Sequence, residues 1–150
     1  NKGGIIWWNL LDGWPQISDG IVDYYFDRKL AYGYVKRSQT SVCVMGDENN
    51  GKLGFYLVND EDKENTVGFN VTDVYENKTI LAGVATVRPY HSEQIAETDL
   101  EKDEKKFYFI EWACDGKKFS NHFHTGIIDI SFEKYLQALE KCGYDQFEGF

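Results

Sequence analysis

The sequence has few cysteines and no hydrophobic run long enough to cross a membrane. Its three cysteines, Cys43, Cys114 and Cys142, form neither a Cys-x-x-Cys pair nor an even set, which argues against a zinc site and a disulfide framework. We interpret them as buried or half-buried thiols in a reducing compartment. No run approaches the roughly 18 apolar residues of a membrane span, and the first residues lack the features of a signal peptide. These absences predict a cytoplasmic protein with no membrane partner, and we expect a bacterial one.

Positive charge is also scarce. The 150 residues include 16 Lys and Arg against 25 Asp and Glu, which gives a formal net charge of -9 and a pI near 4.8. The basic residues are scattered rather than clustered with aromatic ones, and an acidic chain repels a phosphate backbone. The composition therefore argues against nucleic acid as a partner.

No catalytic or metal-binding constellation is evident. Most carboxylates lie in turns and charged runs such as 60–62 and 101–104, whereas catalysis by a pair of carboxyl groups needs two of them across a cleft. His122 and His124 alternate along one predicted strand, but only one other histidine is present, so we favour a solvent-facing or hydrogen-bonded pair over zinc. Residues 47–51 resemble a calcium loop but lack its distal glutamate, and no nucleophile elbow is found. The sequence predicts no catalytic residue, no metal and no cofactor in this chain.

The first 38 residues differ in composition from the rest, because three of the four tryptophans lie within the first fourteen positions. Residues 4–11 (GIIWWNLL) are almost continuously apolar, which is typical of a parallel strand buried on both faces. A long loop follows, and Asp27 is expected to cap a helix that continues to Ser38. The chain also starts without a methionine. We expect a strand, loop and helix that belong to a larger protein.

After Thr40 the pattern changes to short alternating segments separated by turns. Asn50-Gly51 and Asp115-Gly116 favour tight hairpins, and Ser131 is expected to cap a terminal helix over 131–142. The predicted strands are 41–45, 53–58, 66–75, 79–87, 92–97, 107–113 and 118–124. The predicted fold class is mainly β: an immunoglobulin-like antiparallel β-sandwich over 40–150, ending in a short helix.

The tryptophans near the start have two interpretations. Aromatic side chains at the carboxyl end of a buried parallel strand suit the active-site face of a (β/α)8 barrel, and indole faces pack well on sugar rings. The same residues could form a simple packing cluster. Because Trp7 and Trp8 point to opposite faces of a strand, at most one of them can line a pocket from within it.

Residues 4–38 resemble the last barrel strand, loop and helix of family 2 glycoside hydrolases, which include β-mannosidases, β-galactosidases and β-glucuronidases. The likeness is closest to the β-mannosidase branch, whose strand has the form G-x-x-Y-W-x-L-N-D-x-W-P. Leu11 and Asp19 depart from the branch pattern, so the resemblance does not identify the sugar. The matching positions are Gly4, Trp8, Leu10, Asp12, Trp14, Pro15, Asp23, Tyr24, Lys29, Ala31 and Tyr34.

The resemblance implies two parts: residues 1–38 as the final strand, loop and helix of a truncated barrel, and residues 40–150 as a C-terminal sandwich that buttresses it. It implies that Trp8 forms the floor of the subsite that holds the sugar to be cleaved, and that Asp12 and Trp14 lie at the rim of that subsite. The family's acid/base and nucleophile glutamates lie on the fourth and seventh barrel strands, which are absent here. The parent would be a retaining β-glycosidase, and this fragment alone would be inactive.

The implied partners are the catalytic barrel and N-terminal sandwich domains of the same parent chain, and a β-linked glycan. An uncovered barrel strand also predicts nonspecific association or homodimerisation of the fragment. An alternative is a carbohydrate-binding module in which Tyr56, Tyr75 or Trp112 stacks on glycan, and a third is a structural adhesive domain. A row of exposed aromatic residues would favour the module, and a buried Trp112 would favour the buttress.

Overall fold

The computed structural model describes residues 6–100, 105–126 and 131–144. Neither helix within these ranges is long and apolar enough to span a bilayer. The elements in chain order are α1 (Leu30–Ser38), β1 (Val42–Asn49), β2 (Lys52–Asn59), β3 (Asn65–Asp73), β4 (Lys78–Val87), β5 (His91–Asp99), β6 (Phe107–Cys114), β7 (Lys117–His124) and α2 (Phe132–Lys141).

The strands form two antiparallel sheets that face each other as a sandwich. One sheet has the order β1-β2-β5 and the other the order β4-β3-β6-β7. Alternate residues of the strands point into the space between the sheets, as the period of two requires. The fully buried side chains of this core include Val44, Leu53, Phe55, Leu57, Val67, Val71 and Ile110. The mainly β class, the sandwich and the C-terminal helix are thereby confirmed.

Two hairpins form where the sequence predicts them. Asn50 and Gly51 join β1 to β2 with φ angles of 54° and 75°, and Asp115 and Gly116 join β6 to β7 with 50° and 75°. Positive φ at both central residues matches the twist of the flanking strands and suits Asn-Gly and Asp-Gly pairs. These turns fix the register of both hairpins.

Helix α2 covers the outer face of the four-stranded sheet. Its Ala138 and Leu139 are buried against Phe107 of β6. The Ser131 hydroxyl accepts a hydrogen bond from the backbone N–H of Lys134 at 3.5 Å, so the predicted cap is confirmed. The sheet therefore has an apolar contact on both faces, one with the opposite sheet and one with α2.

The predicted strand over 4–11 is not formed by the residues that the structure describes. Residues 1–5 lie outside the described ranges, and over 6–11 the only ladder contact is a parallel bridge from Leu11 to Val22. Ile6 is 92% exposed and Leu10 is 65% exposed. A strand buried on both faces needs neighbouring strands and covering layers, and Val22 alone supplies neither.

The predicted cap of α1 is also wrong. The helix begins at Leu30, and Lys29 at the N-cap position makes no side-chain capping bond. Asp27 instead belongs to a tight turn, in which its N–H donates to the Asp23 carboxylate at 2.9 Å and its carbonyl accepts from the Asp23 N–H at 2.9 Å. These bonds hold Asp27 outside the helix.

Candidate functional site

A buried carboxylate organises the loop before α1. Asp12 is 1% exposed. Its carboxylate accepts a hydrogen bond from the Lys29 ammonium at 2.7 Å and another from the Ser18 hydroxyl. The bond from Lys29, followed by that from Ser18, lowers the pKa of Asp12 below its ordinary value. We call these three residues the Asp12 cluster; opposite charge and direct hydrogen bonds keep the buried carboxylate ionised.

The backbone around the Asp12 cluster is held by hydrogen bonds although it forms no regular strand. The N–H of Asp12 donates to Val22 O at 3.1 Å, and the N–H of Lys29 donates to Ile21 O at 3.0 Å. Gly20 lies against the Asp12 carboxylate, and a Cβ at this position would overlap it. The loop is therefore built around one ion pair and needs glycine at one position.

The predicted sugar-binding residues lie in different environments. Trp8 is 76% exposed and Trp14 is 64% exposed, whereas Asp12 is buried between them in the sequence. The Asp12 carboxylate is engaged by Lys29 and Ser18 rather than presented to solvent. In this chain the indoles are accessible and Asp12 supports the loop that carries them. A role for the three residues in binding sugar stays a prediction.

Exposed apolar residues are concentrated near the start of the chain. We call residues 6–26 the exposed aromatic segment, because ten of the fifteen large hydrophobic side chains that the structure describes as exposed belong to it. Such a concentration is uncommon on a monomer and is typical of a surface that contacts another molecule. The ten are Ile6, Trp7, Trp8, Leu10, Leu11, Trp14, Ile17, Tyr24, Tyr25 and Phe26.

Aromatic contacts attach α1 to the outer face of the sandwich. The Tyr34 ring packs edge-on against His122 of β7, with centroids 5.1 Å apart, and its hydroxyl is hydrogen-bonded to that of Tyr135 in α2. The Arg37 guanidinium lies 3.9 Å from the ring centroid of Tyr144. We call this group of five residues the α1 joint. It connects the helix that follows the exposed aromatic segment to both β7 and α2.

The histidine pair of β7 shares one face of the strand as expected, but both rings are half-buried in aromatic contacts rather than facing solvent. The Phe107 ring stacks on His122 at 5.0 Å and meets His124 edge-on at 5.9 Å. His122 Nδ1 and both ring nitrogens of His124 are buried without a hydrogen-bond partner in the described structure. Burial, with the nearby Arg37 charge, lowers the pKa of His122 to about 4. Both prove to be packing residues, because α2 and α1 cover this face.

The described ranges contain no group of three or more histidine, cysteine or acidic residues that could hold a metal ion. The cysteines are free thiols: Cys43 and Cys114 are buried and Cys142 is half-buried. Burial raises the pKa of all three, that of Cys142 to about 12. Thiols with a raised pKa are poor nucleophiles at neutral pH.

The aromatic residues considered for a binding module form no exposed row. Trp112 is 2% exposed, and its indole N–H donates to Val42 O at 3.0 Å. Tyr75 is half-buried beside Phe107, and Tyr56 is half-buried on β2. The core uses Trp112 and the contact with α2 uses Tyr75, so neither residue is available for an exposed row on the sandwich.

No sequence pattern indicates a role for Lys29, Ser18, Tyr34 or Arg37. Lys29 was a matched position of the resemblance, as was Asp12, and two opposite charges within one matched pattern could have indicated a pair. Ser18 had no comparable signal, because its bond to Asp12 depends on the path of the loop. The α1 joint could not be foreseen either, since its hydrogen-bonded tyrosines, Tyr34 and Tyr135, are 101 positions apart.

No protein-family model matches the chain, and no curated protein matches it by sequence. Solved structures do match. The β-D-mannosidase of Dictyoglomus thermophilum aligns with 78% of this chain at 24% identity and a TM-score of 0.61, and the chain spans 15% of the length of that enzyme. Two structures of the β-glucuronidase of Parabacteroides merdae align with 56% of this chain at 15% and 12% identity, each over 12% of the enzyme and with a TM-score of 0.37. The likeness to the mannosidase shows a shared fold, and the weaker one carries no further argument.

Proposed function

We propose that this chain is the non-catalytic carboxy-terminal part of a retaining β-glycosidase, in which the sandwich buttresses a catalytic (β/α)8 barrel. The observation that carries the proposal is the attachment of the exposed aromatic segment to the sandwich. The Asp12 cluster links that segment to Lys29, the residue before α1, and the α1 joint fixes the helix to β7 and α2. A sandwich attached in this way would hold accessible indoles in a fixed position.

The fold likeness to part of a β-D-mannosidase supports a parent of the β-mannosidase or β-galactosidase type. In such a parent two carboxyl groups about 5 Å apart act as nucleophile and acid/base on a β-linked glycan, with a covalent glycosyl-enzyme intermediate. Trp8 would floor the subsite of the cleaved sugar, and Trp14 would lie at its rim. Asp12 would act on the rim indirectly, by fixing the loop between the two indoles.

The partners in this proposal are the other domains of the same parent chain. They would cover the exposed aromatic segment, which holds ten exposed hydrophobic side chains in the structure described here. Buried apolar area contributes about 25 cal/mol per Å² to such an association. The same argument predicts that the isolated chain associates with a second copy of itself.

The test is hydrolysis of a panel of nitrophenyl β-glycosides by three proteins: the full-length gene product, this chain alone, and a full-length Trp8→Ala variant. We expect cleavage of one substrate by the full-length protein, none by the fragment, and a large loss of kcat/KM in the variant. Full-length Tyr90→Ala is the matched control, because Tyr90 is 71% exposed but lies in the sandwich. Its activity should be unchanged.

One result would overturn the proposal, and another would remove one part of it. An inert full-length protein together with glycan binding by the fragment would establish a carbohydrate-binding module instead. Full activity of the Trp8→Ala variant would remove the substrate-binding role of this loop.

A further inference from the structure

A cavity of about 410 Å³ lies between α1, strand β7 and the end of α2. The wall on the α1 side runs from Arg28 to Thr40, and the opposite wall includes Ser120 and Tyr144. Cavities that hold small molecules have volumes of roughly 300–1,000 Å³. The volume is therefore sufficient for a ligand the size of a monosaccharide.

The charge of this cavity is opposite to that of the chain as a whole. Arg28, Lys29, Lys36 and Arg37 line it, and no Asp or Glu is among the described residues that line it, although the chain has a formal charge of -9. Lys29 is neutralised by Asp12. The other three cations form no ion pair with a carboxylate of the described residues. Within the described ranges, three positive charges are therefore left to act on whatever occupies the cavity.

Arg37 is the most constrained of these cations. Its guanidinium lies 3.9 Å from the ring centroid of Tyr144 and 4.8 Å from that of Tyr34, and its Nε is buried without a hydrogen-bond partner in the described structure. Buried N–H groups almost always have an acceptor. A guanidinium held between two rings is also well placed to form paired bonds with a carboxylate or a phosphate.

The amino-terminal end of α1 adds partial positive charge to the same cavity. No side chain caps it, and its first turn contains no acidic residue. Leu30 and Gly33 of this end line the cavity. Free N–H groups at a helix amino terminus carry partial positive charge and favour anions.

We propose that this cavity binds a small anionic ligand: a sugar-sized molecule that carries a phosphate or carboxylate group. The cationic side chains and the end of α1 would bind the anionic group, and the aromatic rings of the cavity would pack against the body of the ligand. This binding does not depend on glycosidase activity. It is measured directly, so its failure is distinguishable from failure of the proposed function.

The test is calorimetric titration of the chain at low salt with four probes: glucose 6-phosphate, glucuronate, glucose and inorganic phosphate. We expect binding of at least one anionic sugar and none of glucose, and the stronger of the two anions identifies the preferred group. Inorganic phosphate alone should bind more weakly than the sugar phosphate. Absence of binding by both anionic sugars overturns the proposal, and so does inorganic phosphate that binds as tightly as the better of the two anionic sugars.

Matched variants locate the site. Arg28→Gln and Lys36→Gln should each weaken binding about tenfold or more, since each removes a charged hydrogen-bond partner of the anionic group. Lys78→Gln removes an exposed cation of β4, at the opposite edge of the same sheet, and should leave the affinity unchanged. Equal weakening by all three variants would show a general charge effect and overturn the site.

Amide signals in NMR spectra provide a second readout that does not depend on substitution. Gly33 and Gly143 line the cavity, whereas Gly51 lies in the β1–β2 turn. Addition of the bound sugar should shift the first two signals and leave that of Gly51 in place. Shifts at Gly51 alone would contradict the assignment.

Discussion

Asp12 and Lys29 show what a buried charge needs in order to be retained in a loop. The Asp12 side chain is fully buried and that of Lys29 is 28% exposed. The Lys29 ammonium also donates to Ser18 O at 3.2 Å, and the Ser18 hydroxyl accepts from the Gly20 N–H at 3.0 Å. Removal of one partner would leave a buried charge or donor unpaired, which is strongly destabilising. The cluster therefore determines the shape of the loop more than the exposed side chains do.

His122 allows a pH prediction at the scale of one residue. Its pKa falls from an ordinary 6.5 to about 4 in the folded chain, so between these values the unfolded chain binds more protons. Stability is then unaffected above pH 6.5 and decreases as the pH falls toward 4. From pH 7.5 to pH 5 this one group should lower the free energy of unfolding by about 2 kcal/mol.

The measurement is urea unfolding of the chain and of a His122→Phe variant at these two pH values. Phenylalanine can keep the stacking on Phe107 but cannot titrate, so the loss of stability at pH 5 should shrink by about 2 kcal/mol. His91→Phe is the control, because His91 is exposed on β5, away from α1 and α2. An unchanged pH dependence in the His122 variant would contradict the prediction.

At the scale of the elements, the sequence predicted those parts that depend on local signals. All seven strands and α2 occur where alternation, the Asn-Gly and Asp-Gly turns and the Ser131 cap placed them. The observed strand ends differ from the predicted ones because backbone pairing continues past the apolar residues. Strand β1, for example, extends to Asn49, which pairs with Lys52. The alternation of β6 also explains why Trp112 points into the core.

Most failures of prediction depend on groups far away in the sequence, and one, the start of α1, depends on a local turn. The strand over 4–11 needs neighbours that the described structure does not supply. The start of α1 is set by the Asp23–Asp27 turn rather than by helix propensity. In the candidate site, exposure of Trp8 and Trp14 followed from no sequence pattern, and the partner of Asp12 lies 17 positions away.

Helix α1 should depend on the α1 joint. It has nine residues and no buried side chain, and isolated helices of this length are marginal in water. Tyr34→Ala removes both the ring contact with His122 and the hydrogen bond to Tyr135. An aromatic pair contributes about 0.5–1.5 kcal/mol, so amide exchange over Leu30–Ser38 should accelerate up to about tenfold while exchange in β2 and β6 is unchanged.

Tyr32→Ala is the control for this experiment, because Tyr32 is on the same helix and its ring contacts Arg28 of the loop rather than the sandwich. The measurement is hydrogen exchange followed by NMR. If both variants accelerate exchange equally, the helix depends on general side-chain packing and the α1 joint has no special role. If neither does, α1 is stabilised by contacts other than these rings.

At the scale of the whole molecule, the exposed aromatic segment and the sandwich differ in how many large hydrophobic side chains they expose. Between β1 and α2, the described residues present only Met45, Val84, Tyr90 and Phe132 as exposed large hydrophobic side chains, against ten in residues 6–26. The sandwich has the surface of an independent domain. The segment before α1 has the surface of an interface, which is the expected division if the chain works as part of a longer protein.

This division predicts that the isolated chain self-associates through its first part. Replacing Trp8 and Trp14 with serine removes two large exposed apolar side chains, each of which buries about 150–250 Å² in a typical contact. At about 25 cal/mol per Å², the double variant should dissociate at protein concentrations at least tenfold higher than the unmodified chain does. Sedimentation velocity over a dilution series measures this dissociation.

The control is a Tyr90→Ser/Phe132→Ser variant, which removes two comparably exposed rings from the other part of the chain. It should associate as the unmodified chain does. If that variant loses association to the same extent, the association is nonspecific and hydrophobic, and the first part of the chain is no specific interface.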